Sequence, residues 1–189
     1  MNMDIKEQCA ESYSRHKHLH NVADEVGIPW QTVYVYLKEK GVPVTGDKST
    51  YGSPKDKLAA HGELLFGRMV PFAVDLNKVK FQPKIDFDVL GYGVDVKTSR
   101  RKKTSKRFDS RAWSFSFKKQ SQDADFFVCV GLCENQEVEK VFLIPGELVR
   151  KLHTVSVPVS MKSKWACFQV DPQELAVFFK SLPARKQAA

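Results

Sequence analysis

Cysteine is scarce in this sequence of 189 residues. The four that occur, Cys9, Cys129, Cys133 and Cys167, include no C-x-x-C pair. A structural zinc site needs four closely spaced ligands, so none is indicated. Reduced and mostly buried thiols are expected instead. Long hydrophobic runs are also missing: no segment approaches the ~20 apolar residues of a membrane-spanning helix. The opening residues Met1-Asn2-Met3-Asp4-Ile5-Lys6-Glu7 lack the apolar stretch of a secretory signal. A cytoplasmic, nucleoid-associated location with no membrane partner is the expectation. No internal repeat is visible. Negative charge is in deficit, with 22 Asp and Glu against 30 Lys and Arg and a net charge of +8. That balance favours a polyanionic partner, nucleic acid before an anionic membrane.

What is present suffices for a core. Hydrophobic residues make up 42% of the chain, and the length allows one core plus a small appended module. Residues 4–40 read as helices, and residues 41–54 form a turn-rich linker. Ser53-Pro54 then starts a helix, with the cap first and proline at the first helical position. Leu58, Gly62, Leu65, Phe66 and Met69 recur at helical spacing, and Pro71 ends that run. Short strands are expected at 85–90, 93–98, 112–117, 125–133, 138–144 and 165–170. Helices are expected at 145–153 and 171–182, the latter with Asp171 as cap, Pro172 first and Glu174 at the capping-box position. The chain reads as α/β, with a helical module at 1–48, a second domain at 49–183 and a frayed basic tail at 184–189.

Within the first module, the stretch from Val22 to Leu37 resembles a helix-turn-helix. Ala23 is small enough for two helices to approach closely. Gly27, four residues later, supplies a left-handed turn. Val33 plugs the space between the helices, helped by Val22, Val26, Ile28 and Leu37. The second helix is expected to start near Pro29 and to expose Trp30, Gln31, Thr32, Tyr34 and Lys38. Such a helix enters the major groove of duplex DNA by its N-terminal end. Gln31 suits an adenine edge, and Thr32 a phosphate or a thymine methyl. His16, His18 and His20 alternate, but a spacing of two separates side chains on a helix, which argues against a metal site there.

The most informative stretch is 85–99. Two short β-type runs flank Gly91-Tyr92-Gly93 and should pair as a hairpin. Alternation along a strand points Asp95 and Lys97 the same way, and the turn brings Asp86 back beside them. Two carboxylates and a lysine on one sheet face suit a divalent metal and phosphodiester hydrolysis. Asp88 shares the strand face of Asp86, so parity does not separate the two.

These residues resemble the PD-(D/E)xK nuclease superfamily over roughly residues 53–180. Asp86, eight intervening residues and Asp95-Val96-Lys97 match its signature, and Glu63 matches the glutamate often found on the preceding helix. Ile85 stands where the family's name has proline, and Asp95 replaces the more usual glutamate. Family spacing favours Asp86 over Asp88. The resemblance implies a restriction-endonuclease-like central mixed sheet flanked by helices, beside the small all-α module. It implies Mg²⁺, with Mn²⁺ as substitute, held by Asp86, Asp95, the Val96 carbonyl and Glu63. Lys97 would orient water or stabilise developing negative charge.

Arg100, Arg101, Lys102, Lys103, Lys106 and Arg107 follow Lys97 directly. They read as a solvated loop that holds the phosphate backbone near the metal. Trp113, Phe115 and Phe117 alternate as a core face, and 125–130 reads as a strand buried on both sides. The expected activity is a metal-dependent DNA endonuclease, plausible as a homodimer because cutting two strands requires two sites. The alternatives are a DNA-binding regulator with a non-catalytic nuclease-like domain, or a junction or flap nuclease.

Overall fold

The computed structural model describes residues 4–45, 47–79, 83–104, 110–117, 123–183 and 185. The chain divides into two compact units, Met1–Lys57 with Leu76–Pro83, and Leu58–Asp75 with Lys84–Ala189. The division falls inside a helix rather than in the turn-rich stretch before it. Residues 76–83 return to the first unit.

The first unit is helical: α1 (Ile5–His16), α2 (Leu19–Val26), α3 (Trp30–Glu39) and the single turn α4 (Lys48–Tyr51). Asp4 caps α1 by accepting from the Lys6 amide, and His18 caps α2 by accepting from the Asn21 amide. Gly27 ends α2 at φ 75°, a left-handed conformation that glycine adopts without strain. Cys9, Tyr13, Val22, Val33 and Leu37 are fully buried between the three helices, with Ala23, Val26 and Ile28 against them. The apolar spacing of α2 and α3 thus forms one small core. Beneath it, Glu25 ties α2 to α1, accepting from Ser12 Oγ at 2.8 Å and Arg15 Nη2 at 2.7 Å and meeting His16 Nε2 at 2.7 Å.

The second unit is a mixed six-stranded sheet with helices on one face and a smaller sheet on the other. The strands are β1 (Val74–Asp75), β2 (Phe87–Val89), β3 (Tyr92–Arg100), β4 (Lys102–Lys103), β5 (Arg111–Ser116), β6 (Phe126–Leu132), β7 (Val138–Pro145), β8 (Thr154–Pro158) and β9 (Gln169–Val170). The large sheet runs β1-β2-β3-β6-β7-β9 and the small one β4-β5-β8. Among the described residues, only the central pair β3–β6 is parallel, with Asp95 opposite Phe127 and Lys97 opposite Cys129. The helices are α5 (Pro54–Met69), α6 (Gly146–Val149) and α7 (Leu175–Ser181). Phe66 and Val70 on or after α5, and Leu175 and Phe179 on α7, pack on Val94, Val96, Val128 and Val130. On the opposite face Trp113, Phe115, Phe117, Val155 and Val157 pack on Phe127, Cys129, Phe142 and Ile144. β6 is therefore covered on both faces, as its unbroken apolar run requires.

Several elements differ from the sequence reading. Residues 165–170 form a 3-10 turn over Lys164–Phe168 and only two strand residues. β8 was not anticipated. The helix after Pro145 is a single turn, and α7 is preceded by a 3-10 turn over Pro172–Glu174 with Asp171 accepting from the Gln173 amide. Cys9 and Cys129 are buried, Cys133 half-buried and Cys167 exposed, all as free thiols. Among the described residues no helix is long and apolar enough to cross a membrane.

Candidate functional site

The hairpin β2–β3 builds the site. Its turn is Leu90-Gly91, at φ 55° and 85°, not Gly91-Tyr92-Gly93. Tyr92 belongs to β3, opposite Val89. Two successive positive φ values match the right-handed twist of a tight hairpin. Asp88 serves this turn: its Oδ1 accepts the Gly91 amide at 3.0 Å. Asp86 lies before β2, where its own amide donates to the Val94 carbonyl at 3.1 Å. Its Oδ2 accepts the Val96 amide at 2.8 Å. The two aspartates that strand parity left equivalent are thus separated, Asp88 at the turn and Asp86 at the foot of the hairpin.

Asp86, Asp95 and Lys97 come together there. Lys97 Nζ donates to Asp95 Oδ1 at 2.6 Å. The Asp95 side chain is only 4% exposed and that of Lys97 21%. Burial pushes the Asp95 carboxyl up to about 7; Lys97 opposes this, while the charge of Asp86 and a hydrogen bond with it add to the rise. An ion pair alone would lower an acid's proton affinity. Here the loss of hydration outweighs the attraction of Lys97, and two carboxyl groups in contact cannot both ionise freely. Lys97 also sits 5.9 Å from the centre of the Phe127 ring. Cys129 lies opposite it on β6, with its thiol pushed up chiefly by complete burial. The place of Phe127 and Cys129 beside the site is not legible in the sequence, because the parallel register that sets it is non-local.

Glu63 is half-buried on α5. Its neighbour Gly62 presses on β3 so closely that an added Cβ would lie 1.7 Å from Thr98 Oγ1. Thr98 alternates with Asp95 and Lys97 along the strand, so this contact is on the other face of β3. Among the described residues no three His, Cys, Asp or Glu side chains gather as a metal-ligand group.

The basic run is not simply a loop. Arg100 ends β3, and Lys102 and Lys103 form the edge strand β4, paired with Ala112 and Arg111. Arg100, Lys102 and Lys103 are exposed. Arg101 instead forms an ion pair with Glu139, Nε to Oε2 at 3.1 Å, both about three-quarters buried and without hydrogen-bond alignment. Lys106 and Arg107 lie outside the described residues. In the tail, Arg185 pairs with Asp125 at 2.7 Å and covers the Tyr92 ring at 4.3 Å. Asp125 in turn accepts the Gly93 amide at 2.9 Å and so braces the hairpin.

In the first unit, Trp30, Gln31, Tyr34 and Lys38 are exposed on α3 and Thr32 is half-buried. His18 is a cap rather than a helical residue, so the helical spacing argument fails for it. Its ring lies 5.7 Å from that of His20, whereas His16 is held by Glu25.

No protein-family model matches the chain, and no characterised protein is significantly similar to it.

Proposed function

We propose that the chain is a metal-dependent DNA endonuclease of the PD-(D/E)xK kind. The observation that carries this reading is the convergence of Asp86, Asp95 and Lys97 at the foot of one hairpin. The donor set fits a hard divalent cation: two carboxylates in contact, one nearly dry, whose mutual repulsion a 2+ charge relieves. Asp86 and Asp95 would hold Mg²⁺ or Mn²⁺, which when bound polarises a phosphodiester and acidifies a water. Lys97 contributes a fixed positive charge beside the pair, suited to a phosphate oxygen gaining negative charge. The Asp86–Val96 amide bond holds one ligand in place on the strand that carries the other. Arg100, Lys102 and Lys103 supply exposed charge for the phosphate backbone. In the first unit α2 and α3 are read as a helix-turn-helix whose exposed α3 residues meet DNA. Cutting both strands calls for a homodimer.

A second reading, a DNA-binding protein with a non-catalytic nuclease-like domain, is favoured by the burial of Asp95, whose side chain is only 4% exposed. Cleavage of supercoiled plasmid by wild type and Lys97→Ala, in Mg²⁺, Mn²⁺ or EDTA, separates the two. The nuclease reading expects metal-dependent cutting that Lys97→Ala loses. Folded wild type that binds plasmid and cuts it in neither metal would establish the second reading.

A further inference from the structure

Four rings stand in a row on the first unit. Tyr51 lies 4.4 Å from His18, His18 lies 5.7 Å from His20, and His20 lies 5.6 Å from Trp30, measured between ring centres. Two of them are large and exposed, Trp30 at 40% and Tyr51 at 44%. Amide groups flank the row: Asn21 donates to the Tyr51 hydroxyl at 3.2 Å, and Gln31 is exposed beside Trp30. Three separate elements contribute, α4 through Tyr51, α2 with its cap through His20 and His18, and α3 through Trp30.

Charge says what such a surface can hold. The first unit carries ten Lys and Arg against eight Asp and Glu, so most of the chain's +8 resides in the second unit. A module that gripped duplex DNA through its phosphates would concentrate positive charge. Ring faces stack on any base whose own face is free, and amides read base edges.

We infer that the row Tyr51–His18–His20–Trp30 is a stacking platform for unpaired nucleobases, so that the chain's nucleic-acid ligand includes a single-stranded segment. This rests on the reading of the chain as a nucleic-acid-binding protein and not on catalysis. The positive second unit retains the backbone, and the first unit selects strands whose bases are unstacked.

The test is binding of a short labelled oligothymidylate and of a duplex of equal length to the intact chain, in EDTA and at raised salt. Those conditions suppress cleavage and the phosphate contribution. The variants are Trp30→Ala, Trp30→Phe and Tyr51→Ala, with helix content checked by circular dichroism. The expected result is that Trp30→Ala and Tyr51→Ala each weaken single-strand binding about tenfold, that Trp30→Phe restores most of the Trp30→Ala loss, and that Tyr51→Ala, which is not on α3, leaves duplex binding unchanged. Tyr51→Ala, outside the three-helix core, gives a second reading if Trp30→Ala fails to fold. Single-strand binding equal to wild type in the folded variants would overturn the proposal. So would equal losses for both ligands in Tyr51→Ala, or a change in gel-filtration volume showing that the rings hold a second copy. Because no cleavage is read, a failed nuclease assay leaves this result standing, and a failed binding result leaves the nuclease reading standing.

Discussion

Lys97 Nζ lies 2.6 Å from Asp95 Oδ1, yet the Asp95 carboxyl keeps its proton up to about pH 7. Burial is the largest cause and Lys97 only partly offsets it; Asp86 adds to the rise. The folded chain therefore binds this proton more tightly than the unfolded chain, where the carboxyl titrates near 3.8. Stability contributed by the protonated form is present below that value and is lost as pH rises through about 7. Melting temperature in EDTA should fall across that window, and fall less in Asp95→Asn. Equal slopes in the two proteins would sink this account.

Metal should reverse that loss. On the proposed reading, a divalent cation would replace the proton above pH 7 as the partner of the carboxylate pair. Mg²⁺ at a hundredfold excess over its dissociation constant is expected to stabilise wild type by about 2.7 kcal/mol. Asp86→Ala should lose the effect. Calorimetric titration across pH should show proton release on binding below pH 7 and little above it. A thermal shift that persists in Asp86→Ala would place the metal elsewhere.

Gly62 lets α5 lie directly on β3. In Gly62→Ala the new Cβ meets Thr98 Oγ1 at 1.7 Å and Thr98 Cβ at 2.9 Å, so overpacking should cost ~1–3 kcal/mol in urea unfolding. Thr98 Oγ1 is buried with no hydrogen-bond partner, so Thr98→Ala alone should cost little. Added to Gly62→Ala it should recover part of the loss, because the Oγ1 contact is removed and the Cβ contact at 2.9 Å remains. Additive losses in the double variant would count against this packing.

Glu25 ties α1 to α2 electrostatically. Bonds from Ser12 first, then His16 and Arg15, hold its carboxyl down at about 2 against a modest burial effect. A depressed acid stabilises above its unfolded value near 4.5, and that stability is lost as pH falls through about 2. Glu25→Gln should lower the melting temperature at neutral pH, with the difference closing below about pH 2. A constant difference at all pH values would mean the bonds, not the charge, matter.

Within the basic run, exposure separates contact from support. Lys102 and Lys103 are exposed, whereas Arg101 is paired with Glu139. Lys102→Ala and Lys103→Ala should each reduce the salt slope of DNA binding by about one. Arg101→Ala should change the slope less and lower stability more, because it leaves Glu139 half-buried without its partner. Equal slopes for all three variants would mean that Arg101 is released when DNA binds.

How much of this was legible beforehand depends on how local each signal is. Gly27, Val22, Val33 and Leu37 announce the helical core because glycine's left-handed turn and the apolar spacing act within a few residues. Asp95 and Lys97 share a face by strand alternation alone, and 126–132 is apolar enough to demand cover on both sides. β8 carries just two buried valines, Val155 and Val157, too short a pattern to rise above background. Residues 164–168 show strand-like composition but close into a 3-10 turn, a choice made by the packing around Trp165 and Phe168.

By itself, then, the sequence determined the helical first module, the hairpin and the face that Asp95 and Lys97 share. Those follow from periodicity and turn chemistry over short spans. Tertiary structure decided the rest. It separated Asp86 from Asp88 through the Leu90-Gly91 turn and the Val96 amide. It put α5 on the other face of β3 from Lys97, with Gly62 against Thr98. It set Phe127 and Cys129 against the site through a parallel pairing formed across some thirty residues of chain. The proton affinity of Asp95 belongs to that second group, because desolvation depends on what surrounds a carboxyl and no neighbour in sequence can supply it.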